Sequence, residues 1–380
     1  MENLILHNGH IRIYKRKDSD YWQMKIKAPR KKAIRESTGC KLIDEAKIVA
    51  FKKYNLLNSE NRFVSKLNNQ IHNFQKTNLL GIKNMSKTNI EYILKYSQQF
   101  IDLNNQIIKK NDMLFGKTII NIFFENSTRT RTSFEIAAKR LSADIINISP
   151  GISSINKGET FYDTIITLNS MNPDLIVIRH SESFINEYLS NKLNCCIINA
   201  GDGTNEHPTQ ALLDALTIKN TFGSFKNLKI AICGDILHSR VAKSNIFLLK
   251  KMGVKINVIG PKFLIPKYLS KLGVSIHYDM KSGLKDCDII MMLRIQKERI
   301  LNIQIPSEKD YFNKYGLDIY KLKFAKKDAL IMHPGPINRG VEIDNDIADD
   351  LNRSLILKQV NMGVALRMAC LKILIDNKDR

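Results

Sequence analysis

The segment Phe123-Phe124-Glu125-Asn126-Ser127-Thr128-Arg129-Thr130-Arg131-Thr132-Ser133-Phe134-Glu135 constrains the fold of this chain more than any other. The run before it, Thr118 to Phe124, is apolar and reads as a buried strand. After it, Phe134, Ile136, Ala137, Ala138 and Leu141 recur with the spacing of one helix face. A strand that enters a helix through a turn crowded with hydroxyls and guanidinium groups predicts a phosphate site. Free backbone N–H groups at the helix start point at the anion, and the helix dipole favours negative charge there. Ser127, Thr128, Thr130 and Thr132 add short donors, and Arg129 can fork onto phosphate oxygens. An ordinary N-cap accounts for one hydroxyl, not for four alternating with two arginines.

From about residue 79 helices and strands alternate. A long helix over about 88–108 leads to the strand at 118–124 and the phosphate helix. Strand-like runs follow at Asp144–Ile148, Leu175–Ile178 and Cys195–Asn199. A helix from Thr209 to Phe222 joins these to a second set at Leu228–Cys233, Val254–Ile259, Asp288–Leu293 and Ala329–Met332. Helices at Ser239–Met252 and Lys358–Ile375 are strongly periodic. Strands that alternate with helices imply parallel sheets covered on both faces. The expected fold is therefore α/β, with two parallel-sheet lobes and a cleft between them.

Residues 1–70 differ in character from the rest of the chain. They hold 16 Lys/Arg against 7 Asp/Glu, so +9 of the chain's net charge of +22 sits in this short stretch. Ile11, Ile13 and Tyr14, then Tyr21 to Ile26, predict a hairpin around Lys17-Asp18-Ser19-Asp20. A third strand is expected near Ala33 to Thr38, and Ala46, Val49, Ala50, Phe51, Tyr54 and Leu57 predict a helix from Asp44. Residues 60–78 read as a polar linker. Through Tyr14-Lys15-Arg16-Lys17, Tyr21-Trp22 and Arg35-Glu36-Ser37-Thr38-Gly39 this small α+β extension resembles the arm-binding module of phage-type tyrosine recombinases. No recombinase core accompanies it, so recombinase chemistry is not implied. The excess charge suits nucleic acid, but also anionic small substrates. The six cysteines are scattered without a Cys-x-x-Cys and read as reduced thiols, neither metal ligands nor staples. No apolar stretch reaches bilayer length and no secretory signal is evident at the start, so a cytoplasmic location and no membrane partner are expected.

Five further segments lie at or near predicted strand ends, where open α/β sheets bind ligands. They are His207-Pro208-Thr209-Gln210, Gly234 to Arg240, Met292 to Gln296, His333-Pro334-Gly335-Pro336, and Ser153-Ser154-Ile155-Asn156-Lys157-Gly158-Glu159-Thr160. With Ser127 to Ser133, and in this order, they resemble the aspartate carbamoyltransferase family over roughly residues 79–376. The resemblance implies a carbamoyl phosphate lobe at 79–222, an aspartate lobe at 223–352, and a C-terminal helix at 353–380 that packs back on the first lobe. It implies carbamoyl phosphate ligands at Ser127, Thr128, Arg129, Thr130, Ser153, Arg179, His207 and Gln210, with the backbone carbonyls of Gly335 and Pro336. Arg129, Thr130, Arg179 and His207 would be catalytic, stabilising developing negative charge. Aspartate would be held by Arg240, Arg294, Gln296 and Lys157. No metal or other cofactor is implied, because the substrate arrives activated.

The resemblance also implies a homotrimer, with the 150s loop and its Ser153 and Lys157 crossing into a neighbour's site. In some members such trimers join regulatory chains. Two alternatives stand beside it. An ornithine-type carbamoyltransferase needs an acid and a Ser-Met-Gly loop, neither of which the sequence holds. A DNA-binding protein carrying an inactive transferase lobe is at odds with every catalytic position being filled.

Overall fold

The computed structural model describes residues 3–6, 10–16, 18–27, 32–43, 45–47, 49–50, 53, 77–148, 158–296, 299 and 307–379. The chain divides into two units, Met1–Gln75 and Lys76–Arg380.

The first unit is a four-stranded antiparallel sheet in chain order: β1 (Asn3–Leu6), β2 (Ile11–Lys15), β3 (Trp22–Ile26) and β4 (Ile34–Ser37). Alternation along the strands sends Ile11, Ile13, Trp22, Met24 and Ile26 to one face. There they pack with Ala46 and Ala50 of a helical stretch. The Trp22 indole donates to the Lys41 carbonyl at 3.2 Å. The sequence pattern predicts three strands, and the structure adds β1. That edge strand is only half covered, so Leu4-Ile5-Leu6 carries no polar alternation to betray it. The expected helix residues Phe51, Tyr54 and Leu57, and most of the expected linker, lie outside the described residues. The end of that linker belongs to the second unit: Asn78 Oδ1 accepts the Ile197 N–H at 2.7 Å.

In the second unit, β5 (Thr118–Phe123), β6 (Asp144–Ile148), β7 (Leu175–His180) and β8 (Cys196–Asp202) form a parallel sheet of order β6-β5-β7-β8. A second parallel sheet contains β9 (Lys229–Cys233), β10 (Lys255–Ile259), β11 (Ser275–His277), β12 (Ile289–Met292) and β13 (Leu330–Met332), in the order β11-β10-β9-β12-β13. Strand β11 is not anticipated by the sequence pattern, because Ser275-Ile276-His277 lacks the apolar run that marks the equally short β13. The central strands are apolar along their length, as a sheet covered on both faces requires: Ile119, Ile120, Ile122, Ile230, Ala231 and Ile232 are all buried.

Helix α1 (Lys87–Asn104) stops short of the expected 108, and Ile107 and Ile108 beyond it are exposed. Arg140 donates to the Asn104 side chain at that end. The remaining helices that position the site are α2 (Thr128–Arg140), α3 (Phe161–Asn169), α4 (Ile185–Ser190), α5 (Pro208–Phe222), α6 (Arg240–Lys251) and, at the C-terminus, α11 (Ile356–Lys378); α7 (Met280–Leu284), α8 (Glu308–Tyr315), α9 (Ile319–Leu322) and α10 (Asn345–Ala348) complete the second sheet's layers. Helix α5 connects the two sheets, and α11 packs on α1, α2 and α5.

Strand order decides where ligands can go. In the first sheet the chain leaves β5 towards β6 on one side, while β7 lies on the other. In the second it leaves β9 towards β10, while β12 lies on the other. Each sheet therefore has a crevice at the carboxyl ends of two central strands, where helices depart in opposite directions. The turn after β5 and the end of β7, with the turns after β9 and β12, line one common cleft.

Candidate active site

The cleft is a cavity of about 600 Å³. On one side, α2 begins at Ser127, whose extended backbone (φ −158°, ψ 95°) makes it the N-cap; its Oγ accepts the Thr130 N–H at 3.4 Å. Asn126, Ser127, Thr128, Arg129 and Thr130 all line the cavity. Arg179 enters from the end of β7, and His207 and Gln210 from the start of α5. The second sheet supplies Arg240 from the start of α6 and Arg294 and Gln296 from the turn after β12, while Gly335 and Pro336 come after β13. Twelve of the residues expected from the sequence thus surround one space. Ser153 and Lys157 lie outside the described residues.

The loop ahead of α5 shows how an irregular segment is made rigid. Asp202 accepts from the backbone of Phe184 and Glu206 and from the side chains of Asn199 and Asn205. Glu206 accepts the N–H groups of Ile82 and Lys83 and the Ser244 hydroxyl. That hydroxyl accepts the His207 N–H at 2.9 Å. His207 is thereby clamped with its ring buried. Burial, and after it the charges of Arg179, Arg240 and Arg367, hold its pKa well below the ordinary histidine value. The ring is neutral at physiological pH, and its Nδ1 has no hydrogen-bond partner among the described residues.

Six arginines line the cavity: Arg129, Arg179, Arg240, Arg294, Arg299 and Arg367. Burial and the neighbouring Arg240 push Arg179 down to about 9. Burial and Arg294 lower Arg129. Such crowding disfavours each charge and favours any anion that enters.

The sequence reading missed Glu125, the carboxylate in the midst of these cations. Its Oε1 accepts from Arg179 Nη2 at 3.1 Å, Arg240 Nη2 at 2.9 Å and Arg299 Nη2 at 3.1 Å. Its Oε2 accepts from Arg240 Nη1 at 2.8 Å. Burial alone would raise this carboxyl, but the Arg240 hydrogen bonds and the three arginine charges override it and hold the pKa below the usual range. Glu125 belongs to the first sheet's turn and Arg240 and Arg299 to the second sheet's side, so this one side chain ties the two walls together. Its position two residues past the end of β5 was the available signal.

Arg367, Gln359 and Asp214 were missed for another reason. Arg367 stands in an apolar helix, between Leu366 and Met368, where no motif marks it. Its guanidinium lies over the Phe134 ring at 5.0 Å, and burial lowers it to about 10. Gly363 makes room for it: a Cβ there would stand 2.7 Å from Arg367 Nη1. Asp214 is fully buried and accepts from three side-chain amides; burial pushes its pKa up to about 6.

The turn after β13 is fixed by His333. Its Nδ1 accepts the Gly335 N–H at 2.8 Å, which leaves the proton on Nε2 for Glu342 at 3.2 Å. Gly335 has φ +68°, and a Cβ there would lie 2.7 Å from the Arg129 guanidinium carbon. Glycine is required on both counts.

Matches to family models divide the cleft-bearing unit in two. Residues 77–220 match the carbamoyl-P binding domain of the aspartate/ornithine carbamoyltransferases, and residues 226–374 match their Asp/Orn binding domain. Among individual relatives, the aspartate carbamoyltransferase catalytic subunit of Rhodospirillum centenum is 55% identical over 301 residues, covering 79% of this chain and 95% of that one. The corresponding subunit of Pelagibacter ubique is 55% identical over 309 residues, covering 81% and 98%. The chain belongs to the aspartate carbamoyltransferase catalytic subunit family. Its fold matches the catalytic subunit of M. jannaschii aspartate transcarbamoylase with a TM-score of 0.70 at 33% identity, covering 80% of this chain and 99% of that one. It also matches aspartate transcarbamoylase from Trypanosoma cruzi, solved with carbamoyl phosphate and aspartate, with a TM-score of 0.69 at 30% identity, covering 78% and 95%. The first unit lies outside both matched domains.

Proposed function

We propose that this cleft transfers the carbamoyl group of carbamoyl phosphate to the α-amine of L-aspartate, giving N-carbamoyl-L-aspartate and phosphate. The observation that carries the reading is the convergence of two sheets' crevices on one arginine-lined cavity. A helix N-terminus with three hydroxyl residues forms one wall, and two spaced arginines with Gln296 form the other. The first wall suits a phosphate and the second a dicarboxylate. Glu125 is the sole acidic residue among the described lining residues, and three arginines already engage it. An ornithine side chain would therefore meet cations without a free acid, which argues against the ornithine reading.

In the mechanism, Ser127, Thr128, Arg129 and Thr130 hold the phosphate group and Arg179 neutralises it from the other side. Arg240, Arg294 and Gln296 orient aspartate, with Lys157 entering from a neighbouring subunit. The substrate amine attacks the carbamoyl carbon, and negative charge builds on its oxygen. Arg129, Thr130, Arg179 and the neutral His207, as an N–H donor, stabilise that charge. Gln210 and the carbonyls of Gly335 and Pro336 accept from the carbamoyl amide. The departing phosphate takes the amine proton. The protein supplies position and electrostatics, and no covalent enzyme intermediate is needed. A cytoplasmic homotrimer with shared sites completes this reading.

Two experiments test it. Purified enzyme should form carbamoyl aspartate with aspartate and give no ureido product with ornithine; the reverse preference would refute it. Mixing inactive Lys157→Ala with inactive Arg129→Ala assemblies should restore activity where intact halves meet, and no recovery after verified exchange would rule out shared sites.

A second reading concerns the first unit alone. Across its solvent-facing side Arg12 pairs with Lys25 and Lys25 with Arg35, a row of three cations on adjacent strands, with Tyr14, Gln23 and Ser37 beside it. Like charges directly opposite one another destabilise a sheet. None of the three has an acidic partner among the described residues, and Glu36 turns to Lys53 on the other face. This favours a polyanion, and the reading adopted is duplex nucleic acid. The full chain should then bind DNA with a salt slope that Arg12→Ala, Lys25→Ala and Arg35→Ala each reduce by about 0.9. Unchanged binding in the triple variant would dismiss it. Fluorescence of Trp22, the chain's one tryptophan, reports whether the variants fold.

A further inference from the structure

Asp214 lies one helical turn beyond Gln210 on α5 and is fully buried. Its Oδ1 accepts from Gln210 Nε2 at 3.0 Å and from Gln359 Nε2 at 2.7 Å, and its Oδ2 accepts from Asn245 Nδ2 at 2.8 Å. A side-chain amide has one donating and one accepting end, whereas a carboxylate only accepts. Each amide that gives its N–H to Asp214 is therefore locked with its oxygen the other way. For Gln359 the consequence is visible: its Oε1 accepts the His333 N–H at 3.0 Å, and the His333 ring in turn holds Gly335. For Gln210, which lines the cavity, the same logic turns Oε1 to the ligand.

We propose that Asp214 is a positioning residue that sets donor specificity, making the cleft select an acyl phosphate that carries an –NH2 group over one that carries a methyl group of the same size. The inference rests on the carbamoyl-transfer reading above. With Gln210 locked, an entering –NH2 finds an acceptor in Oε1 and further acceptors in the carbonyls of the Gly335 turn that Gln359 and His333 brace. A methyl group leaves Gln210 Oε1 and those carbonyls covered by the ligand but unpaired, and it is this loss that discriminates between near-isosteres. The network spans α5, α6 and α11, so one carboxylate sets both sets of acceptors. Burial raises the cost of keeping that carboxylate ionised, and an apolar side chain would fill the space without it. With asparagine at 214 the partner can donate as well as accept, so the Gln210 amide is free to reverse and offer N–H2 to the ligand.

The test uses the full chain, with acetyl phosphate as the methyl-bearing probe and inorganic phosphate as a control for the α2 end of the site. Carbamoyl aspartate formation is followed with each as competitor. The expected result is that wild type prefers carbamoyl over acetyl phosphate and that Asp214→Asn narrows this preference about tenfold, the worth of one hydrogen bond of this kind. Inhibition by inorganic phosphate should stay unchanged. Asn245→Leu, which removes another amide without touching Gln210, should lower thermal stability and leave the preference intact. Combining Asp214→Asn with Gln210→Glu restores a donor-to-carboxylate pair with an acceptor facing the cavity, and should recover the preference. A folded Asp214→Asn enzyme with wild-type preference overturns the inference. If that variant does not fold, the double variant and Gln210→Met decide: a preference unrestored in the first or retained in the second overturns it. A wild type that forms no carbamoyl aspartate sinks the underlying reading instead.

Discussion

Glu125 offers the sharpest stability experiment, because one side chain compensates three arginines from both walls of the cleft. Glu125→Ala removes four charge-assisted hydrogen bonds, one from Arg179, two from Arg240 and one from Arg299. Bonds to charged groups are worth about 1.5–3 kcal/mol each. Their plain sum overshoots, because Glu125 is partly exposed at 28% and water re-enters when it leaves. Breaking a buried pair while stranding its partner costs about 3–5 kcal/mol, and about 4 kcal/mol is the expected loss here. At roughly 2 °C per kcal/mol for a unit of this size, the melting temperature should fall by about 8 °C. Glu125→Gln keeps the shape without the charge and should fall in between. The distinguishing measurement adds inorganic phosphate. An anion bound among the stranded arginines substitutes for the lost carboxylate, so phosphate should raise the variant's melting temperature more than the wild type's. Differential scanning fluorimetry across a phosphate titration reads both numbers. A fall below about 2 °C, or an equal phosphate gain in the two proteins, would refute the claim that Glu125 is the cleft's internal counter-charge.

Four further outcomes are expected from the same geometry. Because burial and three arginines hold His207 far below its ordinary value, turnover should show no titration near pH 6.5 that His207→Gln abolishes; fold stability from this group is present above the unfolded histidine pKa and declines as pH falls below it, which thermal melts across that range can check. Asp214 is shifted the opposite way, from 3.8 to about 6, so the advantage of its protonated form is full below about pH 4 and lost as pH rises through 6. The stability difference between wild type and Asp214→Asn should therefore change by about 3 kcal/mol across that window in urea titrations at fixed pH. Gly335→Ala drives a methyl group into the Arg129 guanidinium from a left-handed backbone; turnover should fall at least about tenfold, and the melting temperature only by the few degrees that about 1–2 kcal/mol of backbone strain implies. Five buried cysteines, of which Cys195 is pushed up to about 11 by burial, should react with iodoacetamide only after unfolding, leaving the half-buried Cys40 as the one thiol modified in the native protein.

Local chemistry was legible in the sequence wherever a residue's role is set by its neighbours along the chain. The run Thr118–Phe124 had to be a covered strand, and the alternation of hydroxyl and guanidinium groups after it had to open a helix suited to an anion. Helices α5, α6 and α11 announced themselves by period to within a few residues. The edge strands β1 and β11, only partly covered, left no such mark. The expected end of α1 failed because Ile107 and Ile108 continue an apolar pattern that no packing surface uses.

The kind of ligand could therefore be read from the residues alone, since charge and donor type belong to side chains. How many cations share one space, and what balances them, depends on the folded arrangement. Glu125 meets Arg240 across 115 positions and Arg299 across 174, and Asp214 meets Gln359 across 145. Such pairings arise from the strand order that turns both crevices toward one cavity, and no spacing along the chain encodes them. Burial among packed side chains then sets the protonation of His207 and Asp214, because desolvation depends on what surrounds a group in three dimensions.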